Sequence, residues 1–99
     1  MNNVQLFAMS KKVLKKSKRG KYQVVLHNDN HNTFEYVIDC LMEACGHNSM
    51  QAHQCALIVH NALRCVVFVD SYEQSEIIYK YLIKSKLTAT IEKHVKQTP

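Results

Sequence analysis

Three segments of the chain carry the hydrophobic pattern of β-strands. The first, Tyr22–His27, is a β-branched and aromatic run that follows Gly20. The second, Arg64–Val69, is almost continuously apolar, which predicts a strand in the centre of a sheet. The third, Leu87–Lys93, alternates apolar and polar residues and is expected to be the last strand. Together they predict one short sheet.

Between the first two strands the apolar period changes to that of an α-helix. Apolar residues recur at intervals of three and four on one helical face, at Phe34, Val37, Ile38, Leu41, Met42 and Cys45. We expect Asn32 to be the N-cap of this helix, with Glu35 as its capping-box partner. Gly46 stands where a left-handed C-terminal cap is expected.

Two further helices are indicated by the same spacing and by polar caps. One is expected from Asn48 or Ser49 to about Asn61, antiparallel to the first helix because the connection is very short. Asp70 and Ser71 are the expected caps of the other. Its apolar inner face is predicted at Ile77, Ile78, Tyr81 and Leu82.

The predicted element order is β-α-α-β-α-β, and the predicted fold class is α+β. We expect a small three-stranded antiparallel sheet with three helices packed on one face. The chain has only 2 Gly and 1 Pro, so regular elements with short turns are favoured over long loops. Residues 1–21 are expected to be a basic flexible extension, residues 22–94 the folded domain and residues 95–99 a C-terminal tail.

Charge is divided unevenly along the chain. The formal net charge is +5, from 13 Lys and Arg against 8 Asp and Glu. Residues 1–22 hold seven of these bases and no acid, which leaves six bases against eight acids in residues 23–99. The chain is therefore a basic segment joined to a mildly acidic body. A small nucleic-acid-associated protein whose basic segment contacts phosphates is one open interpretation.

Features of secreted and membrane proteins are weak in this sequence. No stretch approaches the roughly 20 apolar residues needed to cross a bilayer. The apolar run Leu6–Met9 is too short for a signal peptide, and its positive charges follow it rather than precede it. We therefore expect a cytoplasmic protein without a membrane partner.

The four cysteines have two interpretations. They stand at positions 40, 45, 55 and 65, without C-x-x-C spacing and without a secretory context, which favours reduced thiols in the core. The alternative is a zinc site, or a small metalloenzyme, built from Cys45, His47, His53 and Cys55. We expect no metal and no cofactor.

Sequence signatures of enzymes are absent from the chain. It contains no P-loop, no G-x-G-x-x-G, no H-E-x-x-H and no G-x-S-x-G. No cysteine lies in a Gly-rich loop or at a helix start, where a thiolate would be stabilised. A catalytic function is therefore not expected.

A polar cluster follows the first strand, at Asn28–Asn32. Its simplest interpretation is turn chemistry, because short polar side chains bond readily to their own backbone. His60, at the end of the second helix, adds a second feature. A helical hairpin of this length returns that end toward Asn28 and Asp29. Together with an apolar floor, these residues could surround a small cationic group.

The order of these segments resembles the ClpS family of bacterial adaptors. The family pattern is close to N-D-D-x-T-P-M-x-F-V, then V-H-x-x-G, then a closing strand that ends in L-E-K. This chain has N-D-N-H-N-T-F-E-Y-V at 28–37, V-H-N-A-L at 59–63 and I-E-K at 91–93. The resemblance covers residues 22–93 without large gaps, and it implies a ClpS-like adaptor domain over residues 22–94.

The resemblance implies an adaptor and not an enzyme. Proteins of this family capture substrates with a destabilising N-terminal residue, usually Phe, Tyr, Trp or Leu, and deliver them to ClpA, the AAA+ unfoldase of the Clp protease. By resemblance, Asn28, Asp29 and His60 bind the α-amino group of the substrate. The pocket for its N-terminal side chain would then consist of Asn32, Thr33, Phe34, Ala56, Val59 and Leu87.

The chain departs from the family pattern at several of these positions. Asn30 replaces the second Asp of N-D-D, which weakens the negative field around the amine. Leu63 replaces the Gly of V-H-x-x-G, so the family's turn is not guaranteed there. Ala56 stands where the family commonly has Met, which is expected to widen the pocket, so that β-branched N-terminal residues such as Ile or Val are better tolerated than in a relative with Met.

Docking to the unfoldase is implied on the third helix. Glu73 and Glu76 match the acidic positions of the family's docking face. Two positions after the second acid, where the family often has a basic residue, this chain has Ile78. The resemblance implies the N-terminal domain of a ClpA-like Clp unfoldase and N-degron substrates as partners, rather than nucleic acid. A monomer is expected.

Overall fold

The three strands form one antiparallel sheet with the first strand in the centre. A computed structural model describes residues 19–95. Strand β1 comprises Tyr22–His27, β2 comprises Arg64–Asp70 and β3 comprises Thr88–Lys93. Both β2 and β3 pair antiparallel with β1, which gives the spatial order β2-β1-β3. The predicted sheet is confirmed, while residues 1–18 of the basic extension and residues 96–99 of the tail lie outside the described residues.

The central position expected for β2 was wrong, because β2 is an edge strand. A bulge explains why its sequence is apolar without alternation. Val24 pairs with Phe68 and Val25 with Val66, so Val67 is an extra residue in the ladder. Val67 is buried and Phe68 packs against the core, although they are adjacent in sequence.

Three helices connect the strands. Helix α1 comprises Phe34–Cys45, α2 comprises Ser49–Ala62 and α3 comprises Tyr72–Lys84, so the predicted order of elements is confirmed. The caps expected at Gly46, which has a φ of 70°, and at Ser71 are confirmed.

The N-cap predicted for α1 was wrong by one residue. Thr33 caps the helix, since its Oγ1 accepts a hydrogen bond from the Tyr36 N–H at 3.1 Å. The side chain of Asn32 is engaged instead with Asp29 and with the Lys86 carbonyl. These contacts, one local and one tertiary, occupy the side chain of Asn32, so it does not cap the helix as its intrinsic preference predicts.

All three helices share one buried cluster with the sheet, which includes Leu41, Ala52, Val67 and Leu82. The inner face predicted for α3 was wrong in part, because Ile77 is 59% exposed and Tyr81 is also exposed. Two residues of this face are fully buried: Leu82, as predicted, and Ser75, whose Oγ lies 3.3 and 3.4 Å from the carbonyl oxygens of Tyr22 and Asp70. A search for apolar spacing alone cannot find a buried serine, so the predicted stripe was rotated.

No helix between residues 19 and 95 combines the length and the apolar character that a membrane span requires.

Candidate ligand pocket

A pocket of about 520 Å³ opens where the end of β1 meets the end of α2 and the start of β3. Polar residues of the loop after β1 form one side, and apolar side chains form the floor. The lining residues are Leu26, His27, Asn28, Asp29, Asn30, Asn32, Phe34, Val37, Ala56, Val59, His60 and Leu87. Such a pocket suits a molecule with a cationic head and an apolar body.

The main chain of Asn28 is fixed by the end of α2. The Asn28 N–H donates to the Leu63 carbonyl oxygen at 2.9 Å, and the Leu63 N–H donates to the Val59 carbonyl oxygen at 2.9 Å. Leu63 has a left-handed backbone, with a φ of 75°, although the ClpS pattern has glycine at this position. This turn places His60 in the same pocket as Asn28, as the length of the helical hairpin predicted.

The Asp29 carboxylate organises the polar loop. Its Oδ1 accepts hydrogen bonds from the N–H groups of His31 at 2.9 Å and of Asn32 at 3.1 Å. The Asn32 Nδ2 lies 3.1 Å from Oδ1 and 3.0 Å from Oδ2, and the Thr88 hydroxyl donates to Oδ2 at 3.4 Å. Oδ2 therefore has two hydrogen bonds against three for Oδ1, and it is the oxygen with capacity for a ligand cation.

The same contacts determine the charge of this group. Desolvation disfavours the charged carboxylate, but hydrogen bonds from His31, Asn32 and Thr88 outweigh that effect and hold the pKa of Asp29 below its usual value of 3.8. Asp29 is therefore anionic at neutral pH.

Asn32 connects this loop to the opposite wall. Its Nδ2 also donates to the Lys86 carbonyl oxygen at 3.0 Å. Lys86 is left-handed with a φ of 71°, and its N–H donates to the Ile83 carbonyl oxygen at 2.9 Å. The Leu87 N–H donates to the Leu82 carbonyl oxygen at 3.0 Å, which completes a Schellman motif at the end of α3. The motif sets Leu87 into the pocket wall.

The apolar floor and wall of the pocket consist of buried residues. Ala56, Val59 and Leu87 are each buried, with exposed fractions of 4%, 6% and 4%. The Phe34 ring forms another wall, and it meets the His53 imidazole edge to face at a centroid distance of 5.2 Å. Ala56 contributes a single methyl group, so the space above it is left to a ligand.

The structure brings together all the residues predicted for this site except one. Thr33 does not line the pocket, because its side chain caps α1. Leu26, His27, Asn30 and Val37 line the pocket although sequence reasoning did not select them. Leu26 and His27 are the last residues of β1, directly before the polar loop, and this position in the sequence could have indicated that they line the pocket. Val37 is on the predicted helical face of α1, where it was interpreted as core.

Comparison with known proteins agrees with this geometry. Residues 17–92 match the family described as ATP-dependent Clp protease adaptor protein ClpS. The chain belongs to the ClpS family. The resemblance found in the sequence is thereby confirmed. ClpS proteins are adaptors of the Clp protease and not enzymes, so the expectation of a non-catalytic protein is confirmed as well.

Individual relatives cover most of the chain. The ATP-dependent Clp protease adapter protein ClpS of Gloeobacter violaceus is 32% identical over 85 residues, which are 85% of this chain and 91% of that protein. The protein of the same name from Thermosynechococcus vestitus is 34% identical over 68 residues, which are 68% of this chain and 72% of that protein. The solved structure of Agrobacterium tumefaciens ClpS2 bound to L-phenylalaninamide has a TM-score of 0.68 at 22% identity, over 73% of this chain and 94% of that chain. This likeness shows a shared fold.

The acidic residues expected on a ClpS docking face lie on α3, outside the pocket. Glu73 is exposed in the first turn. The Glu76 Oε2 accepts a hydrogen bond from the Tyr72 hydroxyl at 3.3 Å and lies 4.0 Å from the Lys80 Nζ. Ile78, at the position where the ClpS pattern often has a base, packs against the core.

The four residues of the zinc alternative have other contacts. The His47 Nε2 is 2.9 Å from the Val67 carbonyl oxygen, and His53 contacts Phe34. Burial, followed by the nearby Cys55 thiol, raises the pKa of Cys45 to about 12, so this thiol is protonated at neutral pH. Within residues 19–95, no group of three or more His, Cys, Asp or Glu side chains is placed to hold a metal ion.

Proposed function

We propose that this ClpS protein binds the N-terminal residue of substrate proteins, of the Phe, Tyr, Trp and Leu class, and delivers them to a ClpA-like AAA+ unfoldase for degradation. The observation that carries the proposal is the pairing of an anionic mouth at Asn28, Asp29 and His60 with an apolar floor in one pocket. The relative from Agrobacterium tumefaciens was solved with L-phenylalaninamide, which has a free α-amine and an aromatic side chain. That ligand supports the proposal.

The polar mouth suits a free α-amino group. An α-amine has a pKa of about 7.7–8.0, so it is mostly an ammonium with three donors at neutral pH. Asp29 supplies the negative charge and Oδ2 an accepting oxygen, while the Asn28 side-chain oxygen and a ring nitrogen of His60 are available as two further acceptors. An N-acetylated terminus has neither the charge nor the three donors.

The apolar floor suits a large N-terminal side chain. Burial of a Phe or Leu side chain contributes roughly 1.5–3 kcal/mol, which ranks such termini about 10- to 100-fold above small ones. A charged N-terminal side chain would lose its hydration against Val59 and Leu87 without gaining a partner. The gain from burial of a large apolar side chain and the cost of desolvating a charged one together favour Phe, Tyr, Trp and Leu.

Delivery to the unfoldase is proposed on α3, through Glu73 and Glu76. Glu73 is exposed, and the exposed Ile77 lies one turn further along the helix. An acidic rim beside an apolar side chain suits a partner surface of basic and apolar residues. The face is separate from the pocket, so one molecule could hold a substrate and an unfoldase together.

Binding of a peptide series tests the proposal. Fluorescent peptides that differ only in the first residue would be titrated by anisotropy, with Phe, Leu, Ala and Glu in that position. We expect the Phe and Leu peptides to bind, and the Ala and Glu peptides to bind at least about tenfold more weakly.

Asp29→Asn is expected to weaken the affinity for the Leu peptide by about tenfold or more, because it removes the charge that faces the ammonium. Asp39→Asn, at an exposed position of α1, is the matched control and should bind like the wild type. Equal affinity for all four peptides, or equal affinity of both variants for the Leu peptide, would contradict the proposal.

A further inference from the structure

One side chain joins the polar half of the pocket to its apolar half. The Asn32 Nδ2 lies 3.0 and 3.1 Å from the two oxygens of Asp29 and 3.0 Å from the Lys86 carbonyl oxygen. An amide nitrogen has two hydrogens, so one can serve the carboxylate and the other the carbonyl. The main-chain N–H of Asn32 adds another hydrogen bond to Asp29 at 3.1 Å.

The two partners of Asn32 control different parts of the pocket. Asp29 is the anion at the mouth. Lys86 directly precedes Leu87, which is 4% exposed and forms part of the wall. Lys86 has a left-handed backbone, which residues with a Cβ disfavour, so its turn depends on hydrogen bonds from its surroundings. The bond from Asn32 to the Lys86 carbonyl is one of these.

The double contact depends on the asparagine. A threonine hydroxyl, which the resemblance to ClpS leads one to expect at this position, has one hydrogen and cannot donate to Asp29 and Lys86 together. An alanine can donate to neither through its side chain. The bridge is therefore specific to the side chain that this chain has at position 32.

We propose that Asn32 is a positioning residue that couples the anionic mouth of the pocket to its hydrophobic wall. It orients the Asp29 carboxylate so that Oδ2 faces the ligand, and it fixes the turn that presents Leu87. The inference rests on the proposed function, because it takes the ligand to be an N-terminal residue with its amine at Asp29. Replacement of Asn32 should therefore reduce the affinity for a peptide with a bulky N-terminal side chain more than the affinity for one with a small side chain.

The test compares Asn32→Ala, Asn32→Thr and the control Gln54→Ala, which removes an exposed amide on α2 outside the pocket. Affinities for peptides that begin with Leu and with Ala would be measured, together with the pKa of the Asp29 carboxyl by NMR. We expect Asn32→Ala to weaken the Leu peptide about tenfold or more and the Ala peptide less, and to raise the pKa of Asp29. Asn32→Thr should lie between, and Gln54→Ala should match the wild type.

Wild-type affinity of Asn32→Ala for the Leu peptide would overturn the proposal. So would an equal loss for both peptides, because the wall would then not depend on Asn32. If the alanine variant fails to fold, wild-type affinity and an unchanged Asp29 pKa in Asn32→Thr would overturn it. Failure of the wild type itself to bind the Leu peptide would contradict the proposed function instead, and the Asp29 pKa would still report whether Asn32 controls the carboxylate.

Discussion

Replacement of Leu63 by glycine is expected to stabilise the protein without changing its ligand affinity. Leu63 ends α2 with a φ of 75°, a backbone region that residues with a Cβ disfavour. Its carbonyl oxygen accepts the hydrogen bond from the Asn28 N–H, so this conformation is needed to hold the mouth of the pocket. Glycine can keep the same backbone and the same carbonyl without the steric cost.

The size of the effect follows from two opposing terms. A left-handed backbone costs a residue with a Cβ about 1–2 kcal/mol. Glycine removes this cost but loses about 0.5–1 kcal/mol through its greater freedom in the unfolded chain. The Leu63 side chain is 63% exposed, so its removal sacrifices little burial. We expect a net gain of about 0.5–1 kcal/mol in the free energy of unfolding, or roughly 2–8 °C in Tm for a domain of this size.

Urea unfolding of Leu63→Gly and Leu57→Gly provides the assay with a matched control. Leu57 lies within the same helix and is 41% exposed, so glycine there should destabilise the protein by about 1 kcal/mol or more. The two substitutions are thus expected to shift the urea midpoint in opposite directions. A lower midpoint for Leu63→Gly, with an unchanged slope, would refute the reasoning that the left-handed conformation of Leu63 is costly.

Three further predictions address the pocket and the docking face. Ala56→Met fills space above the floor, so the ratio of Leu-peptide to Ile-peptide affinity should rise by about tenfold or more from a wild-type ratio below about a hundredfold; an unchanged ratio by anisotropy would contradict this. Glu73→Lys combined with Glu76→Lys should weaken binding to the unfoldase N-terminal domain by about tenfold or more in calorimetry and leave peptide affinity unchanged; normal unfoldase affinity would exclude the proposed face. The Asp29 carboxylate has a lowered pKa, so its stabilising effect is present above pH 3.8 and is lost as the pH falls through the lowered value. The stability difference between wild type and Asp29→Asn in urea should therefore shrink only below that pH, and a difference that is constant in acid would be inconsistent with it.

Local signals predicted most of the fold. Tyr22–His27 was predicted to the residue, and Gly46 and Ser71 were identified as caps. These features depend on backbone preferences and on side chains that bond within a few residues, so they can be inferred from a short stretch of sequence. The family resemblance was also local, since it rested on three short segments.

The errors came from contacts between residues far apart in the chain. The β2 segment is as apolar as a central strand, yet β2 is an edge strand. Its bulge at Val67 allows the adjacent side chains of Val67 and Phe68 both to pack against the core of the protein. Ser75 is buried because two main-chain carbonyls lie within its reach, which no periodic pattern can indicate. Both features depend on tertiary structure.

The candidate site divides in the same way. Residues with a recognisable chemical group, such as Asp29 and His60, could be selected from the sequence. The left-handed turns at Leu63 and Lys86 could not, since neither residue favours that backbone and both turns act through main-chain carbonyls. The contact of Asn32 with one of these carbonyls was not predicted either, although the sequence suggested Asn32 as a helix cap and, by resemblance, as a pocket residue.

Recognition of a free N-terminal amine is the central claim, and acetylation tests it most directly. A fluorescent peptide that begins with Leu would be titrated beside the same peptide with an acetylated N-terminus. Because the acetyl group removes the charge that faces Asp29 and leaves the Leu side chain intact, we predict a loss of affinity of about a hundredfold or more. Equal affinity for the two peptides would contradict the assignment of Asn28, Asp29 and His60 to the amine.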